Sequence, residues 1–282
     1  MGRKDGTKIK DAGLEYVVGA HVMAHRIDAM NFITLDIPAA PIRHYLNQKR
    51  KEGKRYSHQT VVFAAIIRTI REYPKLNDFV VNKRLYSRNE LAIGMVVLKG
   101  GRIDEVGTAD KMKFDPDATI DEVNDVLQSY IQKNRDMNDI NSTDKLAGIL
   151  VSVPGLLRIG VSFLKFLDKH NLLPKSIIDA SPFHATMMFT NLASIKTNHI
   201  YHHIYDFGTT SMTLAMGQMR DVAVMKKGEI TMERCIPLGL VMDERVASGS
   251  YFAMAFRRFS ELMAHPEQLE LPPTDDVSVH AH

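Results

Sequence analysis

The sequence predicts a mixed α/β fold in one large domain, and three observations carry that reading. Short runs rich in β-branched and apolar residues alternate with stretches whose apolar residues recur every three or four positions. The composition, 45% hydrophobic and 24% charged, is that of a folded globular chain and excludes a disordered or fibrous one. The 282 residues contain no internal repeat and no Gly/Ser linker that would split them into units.

Residues 32–38 (FITLDIP) read as a strand stopped by proline. Residues 42–53 then form a helix with one apolar side, one strongly basic side and a terminal Gly53. Ser57 caps a second helix, in which Val61, Val62, Ala65, Ile66 and Ile70 make one stripe and which Pro74 ends. The continuous apolar run 91–98 (LAIGMVVL) predicts a strand covered on both faces. Behind the capping residues Asp117 and Thr119, the spacing of Ile120, Val123, Val126, Leu127 and Ile131 predicts an amphipathic helix over 119–134. Further strands are expected at 184–190, 211–217, 222–225 and 236–242, and a last helix at 250–264. This divides the chain into an arm (1–27), a domain (28–270) with an insertion at about 144–180, and a disordered polar tail (271–282).

Charge and cysteine content exclude several function classes. With 36 Lys plus Arg against 33 Asp plus Glu, a balance of +3 is too small to make nucleic acid a partner. The single Cys235 allows no intrachain disulfide and no paired-cysteine zinc cluster. The basic start of the chain is followed by no uninterrupted apolar stretch, so no secretory signal is expected and the setting points to the cytoplasm.

The most hydrophobic segment is 146–167. It is long enough to cross a bilayer as a helix at about 1.5 Å per residue. Pro154 breaks it, however, and Arg158 near the centre costs about 2.5–3.5 kcal/mol, with Lys165 adding to this. Leu146, Ile149, Leu150, Val153, Leu156, Leu157, Leu164 and Leu167 instead form a stripe suited to an amphipathic hairpin. Such a hairpin packs on its own domain, on a partner or weakly on a membrane surface.

Several short pieces follow one another along the chain: Glu72-Tyr73-Pro74-Lys75-Leu76-Asn77, Ile93-Gly94-Met95-Val96, Phe189-Thr190-Asn191-Leu192 and Pro237-Leu238-Gly239-Leu240. The loop Asp243-Glu244-Arg245-Val246-Ala247-Ser248-Gly249 comes next, and then His265-Pro266-Glu267. In this order they resemble the catalytic domain of the 2-oxo acid dehydrogenase acyltransferases (dihydrolipoamide acyltransferases), which shares its fold with chloramphenicol acetyltransferase. The resemblance implies a two-layer sandwich of mixed sheet and helices, with the apolar helical segment inserted. It also implies coenzyme A as acyl-carrying substrate, no metal, and a homotrimer or larger assembly with its active site at the subunit boundary. The family's lipoyl domains have no counterpart here, so no lipoyl group is expected on this chain. Any dihydrolipoyl substrate would come from a lipoyl-bearing partner or enzyme complex.

The family's loop reads Asp-His-Arg-x-x-Asp-Gly, its histidine being the base that deprotonates the thiol. Glu244 stands at that position and Ser248 at the second aspartate, while Asp243, Arg245 and Gly249 are kept. A thiol of pKa about 8.5 lies about 2 units above histidine but about 4 above glutamate. The exchange therefore adds about 3 kcal/mol to proton transfer, about a hundredfold in rate, unless burial raises the carboxylate. Thr190 occupies the family's oxyanion-donor position, worth about 2.7–4 kcal/mol in acyl transfer.

Glu244 can equally be a salt-bridged surface carboxylate, and Thr190 a residue chosen for strand propensity. A displaced base is offered by His202 or His203, with Asp206 as an orienting partner. These two histidines point to opposite faces if the segment is extended, and His199 shares a face with His203, in zinc-like spacing, only if it is helical. Two functions follow: an acyltransferase moving an acyl group between coenzyme A and a thiol, hydroxyl or amine acceptor, or a catalytically inactive trimeric scaffold subunit.

Overall fold

The strand-forming runs assemble into one large sheet in the computed structural model, which describes residues 2–98, 107–135, 148, 152 and 156–274. In chain order the elements begin with β1 (Gly6–Lys8), α1 (Leu14–Val22), β2 (Met30–Pro38), α2 (Ala39–Lys51) and α3 (His58–Glu72). They continue with β3 (Asp78–Val81), β4 (Arg84–Arg88), β5 (Leu91–Leu98), β6 (Gly107–Phe114), α4 (Ile120–Arg135), α5 (Leu156–Lys169) and α6 (Lys175–Ala180). The last are β7 (Met187–Asn191), β8 (Met212–Met216), β9 (Arg220–Lys226), β10 (Glu229–Asp243) and α7 (Gly249–Ala264). The large sheet runs β2-β10-β8-β7-β5-β6, with β9 paired to the first half of β10; β1, β4 and β3 form a separate small sheet. Neighbours β5, β7 and β8 are parallel and the other pairs antiparallel, which is the mixed sheet expected.

Four helices, α2, α3, α4 and α7, pack on one face of the sheet. The sequence shows α3 as a single apolar stripe, but nearly the whole helix is buried, because α4 and α7 flank it on the sheet and the turn at Pro266–Glu270 packs against it as well. Its polar residues survive burial by being paired. Glu72 takes Arg258 Nε at 2.7 Å and Nη2 at 3.2 Å, Thr60 donates to Asn124, and Arg68 donates to the carbonyls of Gln268 and Leu271. The Ser57 hydroxyl accepts from Thr60 N at 3.0 Å, the cap expected from sequence. The expectation of a disordered tail falls largely on residues outside those described; Leu271 at its start is one of Arg68's partners.

On the opposite face, residues 198–205 run extended across β8, β10 and β2. Two glycines make this possible: a Cβ on Gly217 would lie 2.2 Å from His199 N, and one on Gly239 would lie 2.3 Å from Ile200 O. The segment thus rests on bare strand backbone.

The stretch read as an insertion holds the amphipathic helix α5 and the short α6; Leu146, Ile149, Leu150 and Val153 of the expected hairpin lie outside the described residues. Among the described residues no helix is long and apolar enough to cross a membrane. A buried polar cluster pins α5 down. Asp168 Oδ1 receives Arg3 Nη2 at 2.6 Å and faces His184 Nε2 at 3.4 Å, while His184 Nδ1 meets Ser181 Oγ at 2.8 Å. Arg3 is held in turn by Asp5, so the first residues of the chain are locked in as well. Burial pulls the His184 imidazole below histidine's ordinary value, against the opposing pull of the Asp168 carboxylate.

Two outcomes follow. Gly239→Ala lowers stability by about 1–3 kcal/mol, seen as an earlier urea midpoint, because the new methyl must displace residue 200. Below about pH 6.5 the unfolded chain binds a proton at His184 that the folded one resists, so stability falls as the solution is acidified through that range. Urea midpoints at about pH 5 and about pH 7.5 should differ less in His184→Gln than in the parent; an unchanged difference would remove His184 as the cause.

Candidate active site

The loop between β10 and α7 is built around a buried ion pair. Asp243, 1% exposed, ends β10, and its two carboxylate oxygens receive Arg245 Nε at 2.8 Å and Nη2 at 2.6 Å. Arg245 Nη1 reaches onward to the Met23 carbonyl at 3.0 Å, tying the loop to the segment after α1. A second buried guanidinium, Arg26, lies with its Nε 4.0 Å from Asp243. It donates to the carbonyls of Tyr205, Asp206 and Gly208, so it fastens the end of the crossing segment to the same centre. Asp243 and Arg245 thus hold the loop's shape, while Ser248 spends its hydroxyl accepting from Tyr251 N as the cap of α7.

Glu244 projects from this frame into a crevice of about 200 Å³ between α1 and the loop, lined also by Glu15, Tyr16, Gly19, Met23 and Ser248. The carboxylate is half-buried, and its Oε2 accepts from Asn31 Nδ2 at 2.8 Å. Its neighbour in sequence, Arg245, is committed to Asp243, so among the described residues Glu244 is not salt-bridged to it.

Thr190 is half-buried near the end of β7. Phe189 meets Phe63 of α3 with ring centroids 4.7 Å apart, so by strand alternation Thr190 points to the face away from the helices. Thr190 pairs with Ala215, and Ala215 with Gly239. Gly239 precedes Glu244 by five residues, about 17 Å of strand at ~3.3 Å each. One chain therefore does not bring its own Thr190 and Glu244 together.

The histidines behave differently from expectation. The segment is extended, so the helical His199–His203 pairing does not form. Nor do His202 and His203 point to opposite faces: their rings stack with centroids 4.9 Å apart, beside Tyr205. The crossing segment is not a regular strand, so strict alternation does not apply. Among the described residues neither ring has a carboxylate partner. Asp206 serves another histidine, its Oδ2 lying 3.6 Å from His25 Nδ1, and its Oδ1 accepts from Arg26 N at 3.2 Å. His199 meets Thr34 Oγ1 through Nε2 at 3.3 Å.

Sequence reasoning missed Arg26, Asn31 and the α1 wall of the crevice. Arg26 and α1 sit in the stretch read as an arm, and Asn31 reaches the loop through the pairing of β2 with β10, a register no local pattern announces.

Residues 184–271 match the family model for the 2-oxoacid dehydrogenases acyltransferase catalytic domain. No curated protein matches the chain. Among solved structures, a probable dihydrolipoamide acetyltransferase from Listeria monocytogenes 4b F2365 is similar at 12% identity, TM-score 0.55, over 94% of this chain and 95% of that one. Dihydrolipoamide acetyltransferase of Azotobacter vinelandii is similar at 14%, TM-score 0.52, over 94% and 95%. A chloramphenicol acetyltransferase is similar at 11%, TM-score 0.55, over 92% and 99%. Identities this low speak for the fold, and the family model for the stretch holding the loop. Over residues 184–271 this chain is thus similar to the catalytic domain of the 2-oxoacid dehydrogenases acyltransferase family, and its fold is similar to those of a dihydrolipoamide acetyltransferase and a chloramphenicol acetyltransferase.

Proposed function

We propose that the protein is an acyltransferase moving an acyl group between coenzyme A and a thiol, hydroxyl or amine acceptor, at a site formed by two copies of the chain. Glu244 of one copy takes the proton of the attacking group. The Thr190 hydroxyl of another donates to the tetrahedral oxyanion as the acyl carbon is attacked. The observation that carries this reading is the placement of Glu244. Its carboxylate stands in a crevice on a loop whose buried frame is intact, with Asn31 orienting it.

The distance between Thr190 and Glu244 within one chain supports the two-copy form. So does the outer side of α1, where Leu14, Val18 and Val22 are exposed in a stripe beside the crevice and suited to cover by another copy. In the Azotobacter enzyme a serine, a histidine and an asparagine have been probed in the catalytic mechanism. By the resemblance, Thr190 and Glu244 stand at the serine and histidine places, and Ser248 where the family's loop has its second aspartate. A truncated catalytic core of the 2-oxoacid dehydrogenase multienzyme complex from Thermoplasma acidophilum shares the fold at TM-score 0.52. A trimer, or a larger assembly served by a lipoyl-bearing partner, is the corresponding expectation here. His202 and His203 remain the alternative base, in a cytoplasmic setting. The inactive scaffold is the second reading, favoured by Glu244 spending an oxygen on Asn31 and Ser248 its hydroxyl on a helix cap.

Thiol release from short acyl-coenzyme A esters should fall about a hundredfold or more in Thr190→Ala and in Glu244→Gln, with the assembly intact. Co-assembling the two variants should restore activity at about a quarter of sites, where both native residues meet across a boundary; no restoration would place both residues in one copy's site or in none. Under the scaffold reading the parent is silent, and activity appears only in Glu244→His with Ser248→Asp.

A further inference from the structure

A second and larger cavity, of about 460 Å³, lies on the other side of Arg245 from the Glu244 crevice. Its volume falls in the range of small-molecule sites, about 300–1,000 Å³. Three lysines line it, Lys83 from the β3–β4 turn and Lys165 and Lys169 from α5. All three are exposed, and among the described residues none has an ion-pair partner. Arg26 also lines it, only 6% exposed, and its Nε has no hydrogen-bond acceptor.

Two carboxylates share the lining: Asp168 is paired with Arg3 at 2.6 Å, while the exposed Asp206 accepts from the Arg26 backbone N–H and lies 3.6 Å from His25 Nδ1, so it keeps one negative charge at the rim. Arg245 is neutralised by Asp243. Three lysines above the Arg26 guanidinium, itself 4.0 Å from Asp243, outweigh the one carboxylate of Asp206, and Val80, Ala20 and Phe207 form an apolar wall. On α5 the exposed Ile159, Phe163 and Phe166 follow at helical spacing beside the basic stripe of Arg158, Lys165 and Lys169.

We propose that this cavity binds a phosphate group carried on a small organic moiety, through Lys83, Lys165 and Lys169 above Arg26. Clustered ammonium groups and a guanidinium suit a phosphate dianion better than a lone carboxylate, since several charged donors meet several acceptor oxygens. The chemistry admits two sources, a soluble phosphate ester or the headgroup of an anionic phospholipid, the second drawing on the aromatic stripe of α5. The site is separate from acyl transfer, so its test needs no turnover.

The whole chain is titrated at low salt with glycerol 3-phosphate by calorimetry. In parallel it is floated with phosphatidylcholine vesicles made with and without phosphatidic acid. Saturable binding in the first arm identifies a soluble ester; flotation only with phosphatidic acid identifies a headgroup. Either response should weaken about tenfold or more in Lys165→Gln with Lys169→Gln, weaken in Lys83→Gln, return in Lys165→Arg with Lys169→Arg, and fade with added salt. The proposal is overturned if neither arm responds, if vesicles bind equally without phosphatidic acid, or if the glutamine variants bind as the parent does.

Discussion

The loop that carries Glu244 keeps its form because Asp243 is buried with its charge fully answered. A carboxylate at 1% exposure survives only when its oxygens are met, and the guanidinium of Arg245 meets both. Arg26 extends the same centre to the carbonyls of residues 205, 206 and 208. Loop, start of β2 and end of the crossing segment are thereby fixed by one buried charge cluster. None of these contacts involves the side chain at 244, so that position can hold glutamate without the loop collapsing.

The second constraint is thinness. Where residues 198–205 cross the sheet, Gly217 and Gly239 leave no side chain between strand and segment. This close approach carries Tyr205 and Asp206 to Arg26, and it holds His202 and His203 on the sheet's far face, short of the Glu244 crevice. Strand register, in turn, leaves Thr190 and Glu244 towards opposite ends of the sheet. Exposed apolar residues on α1 border the Glu244 crevice.

The inserted helix obeys the same logic of buried charge. Asp168 is held between Arg3 and His184, and burial works against its charge while those two contacts hold its carboxyl below the ordinary carboxylate value. That anchor turns the apolar side of α5 partly inward and points Lys165 and Lys169 towards a cavity. An apolar segment that resembles a membrane span in composition becomes the wall of a charged cleft.

The sequence by itself determined the mixed α/β class, the order of most strands and helices, the caps at Ser57 and Thr119, and the family-like loop from Asp243 to Gly249. These are legible because periodicity, capping and turn chemistry act over a few neighbouring residues. It gave no sign that α3 is buried on nearly all sides, that β1, β3, β4 and β6 exist, or that His202 and His203 stack. The partnership of Arg26 with Asp243 and of Arg3 with Asp168 was equally hidden. Those belong to the tertiary structure, because each joins groups up to 217 residues apart through strand register and burial. The free energy of such contacts depends on which groups lose water together, and no local run of residues states that.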